Sequence, residues 1–309
     1  MKKHGESDPE MDFVRTILES GYESGNQKSK LIDVDLTTLD VTMKDFSGSG
    51  IDFIRIGAEG RDVNMLNGGV SFFTIHSPLV MFEILPGNIF GPELVCEFKF
   101  LGYDSYRFIP GIECLAPISA ENDPDPYCSN AFCCKPDRAA RLEENGFLTH
   151  QEAETYTDGN TDTTLWIDYL QQFPYAIRLL RMWEQYLLEN EGDSCWRLYQ
   201  EALSSYAVSR MTRIPQADRF QALNRAYLLL RHVVRITPTF SRLMSLFRVV
   251  SDMGYRKQKD IVLRYLIRMM EKTDPVSIAE PFLAVSSRFE QTDPEQEMGR
   301  WCLASLLEA

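Results

Sequence analysis

The spacing of the apolar residues changes near residue 158, and this change constrains the fold more than any other feature of the chain. Before it, short apolar runs such as "IDFIRI" (51–56) and "PLVMFEI" (78–84) alternate with helical patterns about every 25 residues, which predicts a parallel or mixed α/β sheet. After it, the apolar positions follow helical spacing. Because 309 residues are also many for one core, we expect two domains, α/β over 1–158 and all-α over 159–309.

The first domain contains few strand patterns. Apart from the two runs above, strands are predicted at 103–109 and in "YCSNAFCCK" (127–135), with a short alternating run "LIDVDL" at 31–36. Four or five strands are fewer than a complete doubly wound sheet usually has. We therefore expect an incomplete Rossmann-like sheet.

The second domain reads as a series of helices. Helical patterns cover 165–190, 195–211, 218–236, 240–254, 259–273, 278–289 and 294–308, and Pro or Gly separates them about every 20 residues. This spacing predicts about three helix hairpins. They form either a helical bundle or a solenoid, and the pattern alone leaves both open.

Charge excludes two classes of partner. The net charge is −13, and residues 1–159 hold 13 Lys and Arg against 27 Asp and Glu. Such an acidic half repels nucleic acid and anionic membranes. The start "MKKHGESDPEMDF" has no apolar leader region, and the sequence has no long apolar run. We expect a cytoplasmic protein with reduced thiols.

Three cysteines, Cys128, Cys133 and Cys134, lie close together and suggest zinc as one interpretation. Their C-x4-C-C spacing lacks the paired knuckles of structural zinc sites, and the nearest histidine, His150, is 16 residues further on. The sequence therefore favours a buried strand with small apolar thiols and no metal site.

Carboxylates follow the two strongest strand patterns. Glu59 lies in the turn after "IDFIRI" and Glu83 lies near the end of "PLVMFEI". If the two strands are neighbours, both side chains face one crevice at the carboxyl edge of the sheet. A carboxylate there can bind a substrate hydroxyl or act as a general base. Alternatively, Glu59 caps the helix that follows it.

The stretch "IDFIRIGAEGRDVNMLNGG" (51–69), followed by "PLVMFEI" and "FKFLGYDSYRFIP" (98–110), resembles the C-terminal part of the FkbM-type S-adenosylmethionine-dependent methyltransferases. That family typically shows a strand ending Lys-Ile-Asp-Val-Glu-Gly, a helix ending Leu-x-Gly, a strand ending in Glu and a Leu-Gly-Tyr turn. The upstream "DLTTLD" (35–40) matches its Thr-Leu-Asp stretch. The resemblance covers less than half of the chain.

The resemblance implies an O-methyltransferase that uses S-adenosylmethionine to methylate a hydroxyl of a sugar or another small molecule, with Glu59 and Glu83 in the site. The sequence departs from the family at Gly57, where the family has Asp. Residues 1–50 also lack a strand followed by a Gly-x-Gly turn, so the cofactor-binding residues are not identified.

Two functions therefore stay open. The chain is either a methyltransferase lacking the N-terminal cofactor-binding strands, or a non-catalytic remnant that binds a protein partner through its helical domain. An incomplete sheet also leaves an edge that needs cover. A complementing chain, a second copy or the N-terminal stretch "MDFVRTILESGY" (11–22) would supply it.

Overall fold

The computed structural model describes residues 37–44, 50–57, 62–83, 90–118, 130–151, 162–272, 278–295 and 297–308. Three predicted features lie outside these ranges: the strand at 31–36, the N-terminal stretch at 11–22 and the turn that carries Glu59.

A mixed sheet forms the first part of the described chain. Its strands are β1 (Phe53–Ile56), β2 (Leu79–Glu83), β3 (Asp104–Ile109), β4 (Cys114–Pro117) and β5 (Asn130–Cys134). They are ordered β1-β2-β5-β3-β4, with β1 and β2 parallel and every other neighbouring pair antiparallel. The prediction of a mixed α/β sheet is confirmed, and β4 is a strand that the sequence did not predict.

Short helices flank the sheet, and residues typical of helix ends bound three of them. Thr38 caps the first of them, and Gly102 and Gly146 follow two others with the positive φ that favours glycine. Phe73, Phe98 and Tyr103 pack edge to face in the core between these helices and the sheet. The helices are α1 (Leu39–Met43), α2 (Asp62–Asn67), α3 (Val70–His76), α4 (Phe90–Phe100) and α5 (Pro136–Glu144).

The second part of the chain is helical, as predicted, although some boundaries differ. The predicted helix over 165–190 is broken near Pro174, because proline cannot continue a hydrogen-bonded helix. The helices are α6 (Leu165–Leu170), α7 (Pro174–Ile177), α8 (Leu180–Glu189), α9 (Ser194–Ser209), α10 (Gln216–Ile236), α11 (Phe240–Asp252), α12 (Arg256–Lys272), α13 (Ser287–Glu290) and α14 (Met298–Glu308). None of the helices in the described ranges is long and apolar enough to cross a membrane.

The predicted helix over 278–289 is wrong. Only Ser287–Glu290 is helical, and residues 278–286 run without regular secondary structure. Residues 280–285 are nevertheless buried, so we call them the buried segment. Its backbone is held by side chains: Tyr199 donates to the Pro281 carbonyl (2.6 Å), and Ser245 accepts from the Leu283 amide (2.9 Å). These bonds satisfy backbone groups that a helix would otherwise pair internally.

One edge of the sheet packs into the core of the helices, while the rest of the sheet has apolar clusters of its own. Ile109 and Cys114, from β3 and β4, are fully buried in the same apolar cluster as the helical part. Arg107 in the middle of β3 donates to the Met253 carbonyl and to the Tyr255 hydroxyl, both at 3.0 Å. Contacts therefore cross the predicted boundary at residue 158, and the division into two domains stays a prediction.

Candidate functional site

The carboxyl ends of β1 and β2 meet at one edge of the sheet. The strands are parallel neighbours in which Ile56 lies opposite Phe82, so Gly57 and Glu83 follow at the same level. β1 and β2 are therefore neighbours, as the prediction of a shared crevice for Glu59 and Glu83 requires. The structure describes Glu83 through its backbone, paired with Asn130 of β5, while Glu59 lies outside the described ranges. The joint site of the two carboxylates stays a prediction.

Gly57, the position where the family has Asp, is open to substitution. It is exposed, its φ lies outside the left-handed region, and an added Cβ would meet no atom of the described residues within 4 Å. Neither backbone conformation nor packing therefore requires glycine here. The described residues therefore leave room for the Cβ of a larger residue at the end of β1.

The Thr-Leu-Asp stretch has a structural role. The Asp40 carboxylate accepts hydrogen bonds from the backbone amides of Ser71 (3.0 Å) and Phe72 (2.8 Å), in the first turn of α3. These bonds, chiefly that from Phe72, lower the pKa of Asp40 below its ordinary value. Asp40 therefore caps a helix and is committed to that contact.

The other pieces of the resemblance contact the same region. Gly68 accepts from the Asp40 amide at 2.9 Å, and a Cβ on Gly68 would approach the Thr38 side chain to 3.1 Å. Tyr103, from the Leu-Gly-Tyr turn, donates to the Phe73 carbonyl at 2.8 Å. Motifs that are far apart in sequence thus hold α1, α3 and β3 together.

The described residues do not by themselves fit S-adenosylmethionine. β1 is the outer strand of the described sheet, and no described strand lies on its other side. Of the described side chains at the carboxyl edge of β1 and β2, none is a carboxylate that could bind ribose hydroxyls, since Gly57 has no side chain and Asp40 is a helix cap.

The cysteine pair of β5 is buried, as the strand interpretation predicted. Cys133 and Cys134 are fully buried, and burial raises the pKa of each thiol to about 12. Cys128 lies outside the described ranges. In the part of the chain that the structure describes, His, Cys, Asp and Glu form no group of three that could hold a metal ion.

We expect these thiols to be unreactive in the folded protein, because the thiolate is the nucleophile and burial disfavours it. Brief treatment with iodoacetamide at about pH 8, followed by peptide mass spectrometry, should label exposed Cys96 and leave Cys133 and Cys134 unlabelled. Labelling of all three should occur in urea. Equal labelling of Cys96 and Cys133 without urea would contradict the buried placement.

A second concave site lies where the sheet meets the helices. This cavity has a volume of about 480 Å³ and lies between the β3–β4 turn (110–113) and the connecting ends of α9, α10, α11 and α12. Its lining includes Arg210, Arg219, Arg248 and Lys259. Sequence reasoning missed it, because these basic residues come from separate helices and the turn lies about 100 residues upstream of them.

Comparisons of the chain with protein-family models, with curated proteins and with solved structures each gave no match. The family assignment therefore depends on the quoted residues alone and stays a prediction.

Proposed function

We propose that this chain carries the acceptor half of an FkbM-type S-adenosylmethionine-dependent O-methyltransferase that acts on a hydroxyl of a sugar or another small molecule. The observation that carries the proposal is the parallel β1–β2 pair, whose carboxyl ends lie level at one edge. In open α/β sheets, ligands bind at this edge. The contacts of Thr38 and Asp40 with Gly68, and the bond from Tyr103 to the Phe73 carbonyl, agree with it.

Glu59 and Glu83 are the proposed acceptor-side residues. A carboxylate at the end of a strand can hold the acceptor hydroxyl by a hydrogen bond and take its proton as the oxygen becomes a nucleophile. This role requires that both side chains face the crevice beyond β1 and β2.

The proposed site requires a second set of strands for the cofactor. β1 is the outer strand of the described sheet, and Phe53 on it is 51% exposed. An open edge strand offers unpaired backbone groups to an added strand. We propose that a complementing chain or a second copy pairs with β1 and provides the cofactor contacts that the described residues lack.

A carboxylate restored at position 57 tests the proposal. We expect Gly57→Asp to tighten S-adenosylmethionine binding about tenfold or more, because a hydrogen bond to an ionised group contributes about 1.5–3 kcal/mol. Isothermal calorimetry of the full chain with S-adenosylmethionine up to about 1 mM measures this change in affinity. Gly57→Asn is the matched control, since it has the same size without the charge.

A non-catalytic protein that binds a partner through its helices is the second candidate. Gly57 favours it, because the packing leaves room for a carboxylate that the chain does not have. If the wild type, Gly57→Asp and Gly57→Asn all fail to bind S-adenosylmethionine, neither the chain nor a second copy of it completes a cofactor site, and this candidate is favoured.

A further inference from the structure

The cavity between the β3–β4 turn and the helix ends is positively charged in an acidic protein. Its lining contains four basic side chains, those of Arg210, Arg219, Arg248 and Lys259, against the carboxylates of Glu113 and Asp252. The whole chain, in contrast, has a net charge of −13. A concave site lined by one sign of charge concentrates ligands of the opposite sign.

Arg248 is neutralised within the protein. Its guanidinium lies 2.9 Å from Asp252 and 3.1 Å from Glu290, and it is 2% exposed. Asp252 also accepts from the Tyr206 hydroxyl at 2.8 Å. Arg248 and Asp252 therefore form a fixed wall of the cavity, and the charge available to a ligand comes from other residues.

Arg210 and Arg219 donate hydrogen bonds only to neutral groups among the described residues, while Asp252 lies close enough to raise the pKa of Arg210. Arg210 donates to the Gly111 carbonyl, and Arg219 donates to the Ser209 carbonyl and to the Gln216 side chain, both at 2.9 Å. Neither arginine forms a salt bridge with a described carboxylate. Burial and the neighbouring charge of Arg210 lower the pKa of Arg219. Two guanidiniums that repel each other retain N–H donors for an anion.

Hydroxyl groups and an unusual turn complete the lining. Thr212, Ser251 and Ser286 line the same cavity, although the Ser251 hydroxyl donates to the Phe247 carbonyl at 2.8 Å. Glu113, at the end of the β3–β4 turn, has a φ of 55°, which is uncommon for a residue with a side chain. Such conformations are concentrated at ligand-binding sites, where the surrounding structure imposes them.

We propose that this cavity binds the phosphate group of a small phosphorylated molecule through Arg210 and Arg219. A phosphate monoester carries a charge of about −1.5 to −2 at neutral pH, which matches two guanidiniums that form no ion pair, whereas a single carboxylate would match only one. A guanidinium group can donate two parallel N–H hydrogen bonds to the oxygens of one phosphate. The volume of about 480 Å³ exceeds what the phosphate needs and leaves room for an organic group. This inference is independent of the methyltransferase proposal.

Calorimetry at fixed ionic strength tests the site, with inorganic phosphate, glucose 6-phosphate and glucose as probes up to about 10 mM. We expect both phosphates to bind and glucose not to bind. Arg219→Gln and Lys259→Gln should each weaken phosphate binding, Arg219→Gln by about 10- to 100-fold. Arg235→Gln, which removes the same charge from exposed Arg235 at the other end of α10, is the matched control and should bind like the wild type.

Each outcome decides the proposal. Binding of inorganic phosphate alone supports the phosphate site and assigns free phosphate as its ligand, while binding of both phosphates assigns an ester. Absence of phosphate binding, or equal affinities in Arg219→Gln and Arg235→Gln, overturns it. If Arg219→Gln does not fold, Lys259→Gln and the phosphate-dependent rise of the melting temperature of the wild type give the same decision.

Discussion

Replacing Arg248 with Met should lower the free energy of unfolding by about 3 to 5 kcal/mol, which is a large part of the stability of a typical domain. Arg248 donates to the Asp252 carboxylate and, at 3.1 Å, to the Ala284 carbonyl of the buried segment, and it forms an ion pair with Glu290. Met fills a similar volume but leaves both carboxylates and the carbonyl without this donor. Urea unfolding followed by circular dichroism measures the loss.

The ion pair of Arg288 with Glu308 provides the control for this prediction. It joins the same two residue types at 2.7 Å, but Arg288 is 73% exposed and Glu308 is 41% exposed. Arg288→Met should therefore cost less than about 1 kcal/mol. Adding Glu290→Gln to Arg248→Met should recover part of the stability, since it removes one stranded charge. Similar losses of unfolding free energy in Arg248→Met and Arg288→Met would show that burial does not determine how much an ion pair contributes to stability.

The burial of Arg248 explains where helix prediction succeeded and where it failed. The sequence of α11 predicts a helix correctly, but an amphipathic pattern would place its arginines in water. Instead every residue from Phe240 to Val250 is buried, because the buried segment covers the polar side of the helix. Arg242 pairs there with Glu280 at 3.0 Å. Glu280 and Glu290 lie about 40 residues downstream of their arginines, so local spacing could not reveal these two partners, whereas Asp252 pairs with Arg248 at ordinary i,i+4 spacing.

The buried segment itself shows why its own apolar pattern was misread. A short apolar run is equally consistent with a helix and with a buried extended segment. Pro281 disfavours the helix, and the hydroxyls of Tyr175, Tyr199 and Ser245 bind the backbone in its extended form. Those hydroxyls belong to other helices, so tertiary contacts decided the conformation.

The sheet was largely predictable, because β1, β2, β3 and β5 lie within the strand patterns of the sequence and have ordinary strand lengths. β4 was missed because its "CLAP" sequence is short and ends in Pro. It is a strand because it forms a hairpin with β3, in which Ile109 lies opposite Cys114.

The two candidate sites also differ in whether the sequence could predict them. The edge beyond β1 and β2 was predictable, since it depends on two strands that are each visible in the sequence. The cavity was not, because Arg210 and Arg219 become a pair only when the β3–β4 turn meets the helix ends. Like charges on neighbouring helices carry no sequence signal until the tertiary contacts are known.

The second large effect is expected at Gly111, where the β3–β4 turn approaches the end of α11. An added Cβ would lie 2.4 Å from the Cβ of Asp252 and 3.1 Å from its Cα. Asp252 cannot move aside easily, because Arg248 and Tyr206 hold its carboxylate. The turn must therefore shift and lose the bond from the Gly111 amide to the Asp252 carbonyl, now 2.8 Å long. Gly111→Ala should lower the free energy of unfolding by about 2 to 4 kcal/mol.

Gly57→Ala is the matched control, because Gly57 has open space around it and, like Gly111, a φ outside the left-handed region. The two variants make the same chemical change, so urea unfolding compares the steric effect alone, and Gly57→Ala should stay within about 0.5 kcal/mol of the wild type. Gly111→Ala should also weaken phosphate binding, since Gly111 lines the cavity and its carbonyl accepts from Arg210. A Gly111→Ala protein as stable as Gly57→Ala would mean that the turn does not press against Asp252, and the close contact between sheet and helices would have to be abandoned.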